Sequence, residues 1–173
     1  VSYNISQRGE IEDSFQIFLF MTRKTSAGLL LYRKYKNMLE VFLVHPGGPL
    51  WKNKDDGAWS IPKGELDENE EPLQAAIREF SEETGNTVSG RFMQLRPIVQ
   101  KSGKTVLAWA VEKNIDAAAI NSNNFEMEWP PRSGKLQNFP EIDKGEWFLI
   151  NEAKKKINAA QVSLLTELEE KSV

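Results

Sequence analysis

The chain has 173 residues, with 22 Lys and Arg against 25 Asp and Glu for a formal net charge of −3. That length suits one domain with its own core and is short for two, and the acidic balance argues against a nucleic-acid backbone as the main partner. With no cysteine and a single histidine, His45, disulfides, thiolate zinc sites, cysteine nucleophiles and multi-histidine metal centres are excluded, and a reducing cytoplasm is the expected location.

Residues 15–21 form an apolar run too short to span a bilayer and lacking the basic start of a signal peptide, so no membrane partner is expected. Residues 27–32 and 39–45 are two further apolar runs separated by Arg33, Lys34, Tyr35, Lys36 and Asn37, which reads as a hairpin of central strands. His45-Pro46-Gly47-Gly48-Pro49 ends the second, and a largely polar loop continues to Gly57. At a strand end, His45 reads either as a hydrogen-bonded structural residue or as a general base.

Pro72 suits the first turn of a helix, where its missing N–H costs little, and Gly85 suits the left-handed residue that ends one. The spacing predicts a helix over 69–84, with Leu73, Ala76, Ile77, Phe80 and Thr84 as its packing stripe. Glu79, Glu82 and Glu83 then stand at i, i+3 and i+4 on one patch beside that stripe. Like charges so placed repel by a few tenths of a kcal/mol per pair, roughly, unless a cation lies between them. Hard oxygen ligands of this kind suit Mg²⁺ or Mn²⁺; three glutamates alone read first as a solvated acidic face.

Beyond the helix, 91–100 and 105–112 read as an antiparallel pair joined by Lys101-Ser102-Gly103-Lys104, whose two lysines either meet phosphates or serve solubility. A short turn over 116–120 and a strand over 125–129 follow. Segment 130–140, PPRSGKLQNFP, suits a loop over a site. Arg132 and Lys135 are its candidates for phosphate or ribose contacts, and Trp129 and Phe139 either stack on a base or belong to the core. The last strand is expected over 146–150, with Asn151 capping a helix over 152–157 and an amphipathic helix over 160–170 that uses Val162, Leu165 and Leu168. Strands interleaved with helices, hairpins included, imply an α/β fold with helices on both faces of a mixed sheet.

One pattern is more specific than any of these elements. Gly64 stands six residues before Glu70, Glu70 eight before Arg78, and Arg78-Glu79-Phe80-Ser81-Glu82-Glu83-Thr84-Gly85 follows. This resembles the signature of the Nudix hydrolases at every charged and glycine position. Phe80 is bulkier than the usual aliphatic residue, and Asn86 stands where the family places an apolar side chain. The stretch from Met21 to Gly28 is similar to the usual opening of a Nudix domain, so Met21 is expected to be the functional start, residues 1–20 an extension, and 21–173 a single domain. The resemblance implies an α/β/α sandwich with a mixed central sheet and a loop–helix–loop catalytic motif.

It also implies roles. The Gly64 carbonyl with Glu79, Glu82 and Glu83 would hold Mg²⁺, or Mn²⁺ in its place, Glu82 and Glu83 as ligands and Glu79 as a further ligand or the base. Glu141, six residues before Trp147, would be a further ligand or the base, with Asp143 as its competitor. Arg78 would orient the carboxylates through Glu70 or Glu82. Lys63, in a Pro-Lys-Gly entry similar to that of dinucleoside polyphosphate and diphosphoinositol polyphosphate hydrolases, would hold a phosphate oxygen as a compact point charge. The implied activity is metal-dependent hydrolysis of a pyrophosphate bond in a nucleoside diphosphate linked to another moiety, a dinucleoside polyphosphate first, a nucleoside triphosphate second. The tyrosine that diadenosine tetraphosphate hydrolases carry after this motif has no counterpart near Gly103. A non-catalytic nucleotide sensor is the reading from another class, and a homodimer is common in the family.

Overall fold

The two apolar runs nearest the N-terminus form a long hairpin, β1 (Thr25–Tyr35) and β2 (Met38–Pro46), that runs through the middle of the sheet. The computed structural model describes residues 25–172, so the proposed extension 1–20 and the start at Met21 lie outside the described residues. The strands run on to a two-residue turn, with Tyr35 opposite Met38 and both Lys36 (φ 49°) and Asn37 (φ 60°) left-handed, a turn whose twist matches that of the flanking strands.

Two more strands join β1, and two short ones follow on its far neighbour. The short β3 (Lys63–Glu65) pairs antiparallel with the start of β1, placing Gly64 opposite Ala27. On the other side β6 (Thr105–Glu112) runs parallel to it, from Thr25 opposite Thr105 to Tyr32 opposite Glu112. The predicted strand over 91–100 is instead two pieces, β4 (Met93–Gln94) and β5 (Ile98–Val99), each antiparallel to β6. Pro97 between them has no N–H to give the ladder, and Arg96 donates its own to Glu167 (2.8 Å).

The predicted loop over 130–140 is also partly strand. Here β7 (Asn124–Glu128) and β8 (Leu136–Pro140) form a separate two-stranded ribbon. The final strand β9 (Ile142–Leu149) starts earlier than expected and pairs with β2. Ile150 opens a helix rather than closing a strand, so the cap is Leu149, without a side-chain bond, and not Asn151.

Because side chains alternate across a strand, β1 and β2 feed two cores. Leu30, Val41 and Leu43 point to α2 (Ile150–Lys156) and α3 (Val162–Lys171), meeting Ala153, Leu164, Leu165 and Leu168. Leu29, Leu31, Phe42 and Val44 point to α1 (Pro72–Thr84), meeting Ala75, Ala76 and Phe80. The result is the expected α/β/α sandwich on a mixed sheet. Among the described residues, no helix is long and apolar enough to cross a membrane.

Gly28 marks where β1 touches β3 most closely: a Cβ there would stand 2.6 Å from both the Lys63 Cβ and the Pro62 carbonyl oxygen. Gly28→Ala should therefore lower stability by about 1–3 kcal/mol, read as a fall in thermal midpoint. An unchanged midpoint would show that the two strands can separate without cost.

Candidate active site

The helix α1 carries the site, and its ends are built locally. It begins at Pro72 rather than at 69: Asn69 is left-handed (φ 62°), and the Glu71 carboxylate caps the first turn by accepting from Leu73 N–H (2.8 Å) and Gln74 N–H (3.3 Å). It ends at Gly85 (φ 71°), whose N–H returns to Ser81 O at 2.8 Å. Thr84 is buried and bonds Phe80 O (2.6 Å). Asn86, out of pattern for the family, turns its polar groups onto Thr84, and Val88 supplies the apolar plug two residues later.

Burying Ala75, Ala76 and Phe80 turns the Arg78, Glu79, Glu82 and Glu83 patch toward β3. Gly64 is there because nothing larger fits: the Glu79 carboxylate occupies the space a Cβ would take. Glu83 accepts the Lys63 backbone N–H at 3.0 Å. A strand backbone and two carboxylates are thus in direct contact.

Arg78 organises the rest. Its Nε and Nη2 fork onto Glu70 (2.9 and 2.8 Å), Nη1 donates to Glu79 (2.8 Å) and, more weakly, to Glu82 (3.4 Å), and Nη2 also reaches Glu65 O (3.0 Å). The expected partners Glu70 and Glu82 are both engaged, with Glu79 besides. These bonds raise the guanidinium above its usual value and hold the Glu70 carboxyl down at about 2.

The carboxylates nearest β3 behave oppositely. Burial pushes Glu83 up to about 8; the charges of Glu79 and Glu141 add to this, while Lys63 opposes it. Glu79 is raised by burial, with Glu82 and Glu141 adding and Arg78 opposing. The Lys63 ammonium is lowered by burial and by Lys104, against Glu83 and Glu79. Lys104 itself pairs with Glu65 at 2.9 Å.

Glu141 lies between β8 and β9, exposed, close enough for its charge to be felt at Glu79 and Glu83. Lys63, Glu83 and Glu141 line one cavity of about 260 Å³, with Trp51, Gln100 and Gln161 among the other walls. Sequence reasoning did not single out Trp51 or Gln100; an aromatic in an otherwise polar loop was the available signal for Trp51.

Other candidates stand apart. Asp143 bonds His45 Nδ1 (2.8 Å), and His45 Nε2 meets Lys54 O (2.8 Å) in a pocket that leaves the ring 2% exposed. Both nitrogens are thereby used, the structural option of the two. Lys101 is exposed at its turn. Arg132 and Lys135 sit at the tip of the β7–β8 ribbon, beyond the Glu128–Leu136 pair. Four strand steps at roughly 3.3 Å each separate that pair from the Asn124–Pro140 stem beside Glu141, so the structure does not bring these two cations to the cavity. Trp129 ends the same ribbon, and Phe139 packs on Phe125.

Among the described residues no three carboxylate or imidazole groups form a ready metal cage, because Glu79 and Glu82 are turned onto Arg78. The donor set nonetheless fits a hard cation. All its members are oxygen ligands, and Glu79 and Glu83 converge on the Lys63–Gly64 backbone.

Two outcomes follow. A carboxyl whose folded value exceeds its unfolded one, about 8 against 4.5 for Glu83, contributes stability that is present at low pH and lost as pH rises through that interval. In chelator, the thermal midpoint should therefore fall between pH 5 and 8, the fall should shrink in Glu83→Gln, and Mg²⁺ should raise the wild-type midpoint more than the variant's. A flat wild-type profile would contradict the burial argument. Separately, Arg78→Lys cannot reproduce the fork onto Glu70 and should cost roughly 10–100-fold in metal affinity, measured by Mn²⁺ titration.

The family model described as the NUDIX domain matches residues 22–168. An RNA pyrophosphohydrolase of Helicobacter pylori is 36% identical over 63 residues, which cover 36% of this chain and 37% of that protein. The mRNA-decapping protein g5R of African swine fever virus is 36% identical over 80 residues, 42% of this chain and 32% of that protein. The chain thus spans about a third of the length of these curated relatives. Among solved structures, an Ap4A hydrolase of C. elegans in a binary complex is 25% identical with a TM-score of 0.58, covering 84% of this chain and 96% of that one. The NUDIX domain of Shewanella oneidensis NrtR complexed with ADP ribose, at 16% identity and a TM-score of 0.63 over 95% and 98% of the two chains, shares the fold. A family model that spans 22–168, laid over a helix whose glutamates meet a glycine-containing strand, gives the conclusion that the chain belongs to the Nudix family.

Proposed function

We propose that this protein hydrolyses a pyrophosphate bond in a nucleoside diphosphate linked to another moiety, with a dinucleoside polyphosphate as the first candidate substrate. The observation that carries the reading is the contact of Glu79 and Glu83 with the Lys63–Gly64 strand, two carboxyls raised by burial beside an ammonium that burial lowers.

Glu79, Glu82, Glu83, Glu141 and the Gly64 carbonyl are the groups that would hold Mg²⁺, with Mn²⁺ as substitute. When bound, such an ion supplies charge neutralisation on phosphate and acidifies water. The chain's own residues do the rest. Lys63 holds a phosphate oxygen, Arg78 keeps Glu79 and Glu82 aimed, and Glu79 or Glu141 accepts the proton of the attacking water as the anhydride P–O bond breaks and its oxygen leaves with the second phosphate. Retention of every carboxylate of the motif favours catalysis over nucleotide sensing.

A second reading comes from the sequence relatives named above, one called an RNA pyrophosphohydrolase and one an mRNA-decapping protein. They favour the 5′ end of an RNA as the moiety carrying the anhydride, against the expectation of no nucleic-acid partner. The bond broken would be the same.

Incubation with Mg²⁺ and diadenosine tetraphosphate, nucleoside triphosphates, ADP-ribose, diphosphoinositol phosphates and 5′-triphosphorylated RNA separates these readings by product. ATP from diadenosine tetraphosphate supports the first, pyrophosphate from RNA the second, and pyrophosphate from a free triphosphate the nucleoside triphosphate alternative. Binding without phosphate release would leave a sensor. On the active substrate, Glu83→Gln should lower turnover on the order of a thousandfold with the fold intact by circular dichroism. A variant keeping a tenth of wild-type activity would remove Glu83 from the proposed machinery.

A further inference from the structure

Lys63 is carried to the cavity by the run Trp59-Ser60-Ile61-Pro62-Lys63, whose backbone donors can each be traced. Trp59 N–H donates to Lys156 O (3.1 Å). Ser60 N–H donates to Val44 O (3.0 Å), and Val44 N–H returns the bond to Ser60 O at 2.9 Å. Pro62 has no N–H to give. That leaves one donor on each side of the proline, and both are met by side chains. Lys63 N–H goes to Glu83 (3.0 Å), and Ile61 N–H goes to Gln161 Oε1, also at 3.0 Å.

Gln161 arrives 100 residues after Ile61, at the end of the short 3₁₀ turn (Ala159–Gln161) between α2 and α3. Its own N–H donates to Asn158 O (2.8 Å), and Asn158 N–H donates to Trp59 O (2.7 Å), so the turn is stitched to the run it serves. Because only an oxygen can accept the Ile61 N–H, the amide has one orientation, with Nε2 on the Ser60 hydroxyl at 3.0 Å. The side chain is 1% exposed, yet it lines the same cavity as Lys63 and Glu83.

A buried amide must be paired or lose its solvation, whereas a methionine of similar length would fill the wall without that demand. What the amide adds is a fixed distance. Leu29 N–H holds Pro62 O at 3.0 Å, and a Cβ on Gly28 would stand 2.6 Å from the Lys63 Cβ. The root of the lysine side chain is thus set by β1 on one side, and the run leading into it is set by Gln161 on the other. The ammonium ends a flexible four-carbon stem, so its aim depends on how firmly that root is held.

We propose that Gln161 is a positioning residue for Lys63: its bond to the Ile61 N–H aims the lysine ammonium at the phosphate beside Glu83. The inference rests on the reading that Lys63 holds a phosphate oxygen. Gln161 acts through the lysine and not on the phosphate itself, so its effect exists only while the ammonium is there to be aimed.

The test is a double-mutant cycle on the binding of inorganic pyrophosphate in Mg²⁺, measured by calorimetry for the wild type, Gln161→Met, Lys63→Met and the double variant. The expected result is a loss on the order of tenfold in pyrophosphate affinity from Gln161→Met, and no further loss from the same change in the Lys63→Met background. Should Gln161→Met fail to fold, Ser60→Ala takes its place in the cycle, with a smaller loss expected. It frees Nε2 but leaves the Ile61 N–H its acceptor. Equal losses in both backgrounds, which a merely structural role would give, or no loss in either, would overturn the positioning role while leaving Lys63 at the phosphate. Lys63→Met binding pyrophosphate as tightly as the wild type, or a wild type that does not bind it, would overturn the proposed phosphate site and this inference with it.

Discussion

The guanidinium of Arg78 is the tie on which the catalytic end of the molecule depends. It is a rigid fork of five N–H donors, and here they reach the loop before the helix through Glu70, the helix through Glu79 and Glu82, and the sheet through the Glu65 carbonyl. Three pieces of chain are fixed to one another by one side chain, alongside the direct contacts of Glu79 with Gly64 and of Glu83 with the Lys63 N–H. An ion pair at the surface adds little to stability; the worth of this one is that it sets the distance between a strand and a row of carboxylates.

Those carboxylates are not there for stability. Glu83 and Glu79 lose solvation without gaining enough positive charge, which is why their carboxyls sit high. The two hydrophobic cores on the faces of the sheet offset this local cost. Such a division, apolar layers that hold the fold and an acidic edge that strains against it, is the common relation between stability and function.

How far this was legible in the sequence follows from the range of each signal. The carboxylate patch needed only helical periodicity, and Gly64, Glu70 and Arg78 needed only spacing along the chain. The helix start was placed three residues early because spacing along the chain does not show that Asn69 turns left-handed or that Glu71 folds its carboxylate back onto the first turn. The strand Leu136–Pro140 was read as loop because only Phe139 of its five residues is even partly buried, leaving no alternation to detect. The pairing of Lys104 with Glu65, and the distance of Arg132 and Lys135 from the cavity, depend on which strands are neighbours, and charge alone carries no such information. Ile61 and Gln161 lie 100 residues apart in sequence and meet only after folding.

The parallel pairing of β1 with β6 has a consequence for synthesis. Thr25 waits for Thr105, roughly 80 residues later, and at about 5–20 residues per second that leaves one edge of the Leu29–Leu31 stretch open for about 4–16 s on the ribosome. The edge is apolar and extended, the kind that pairs with other chains. Arg78 and the carboxylates of its fork, all within residues 70–82, are made inside that interval, so the acidic patch can assemble while β1 still lacks the neighbour that closes its edge.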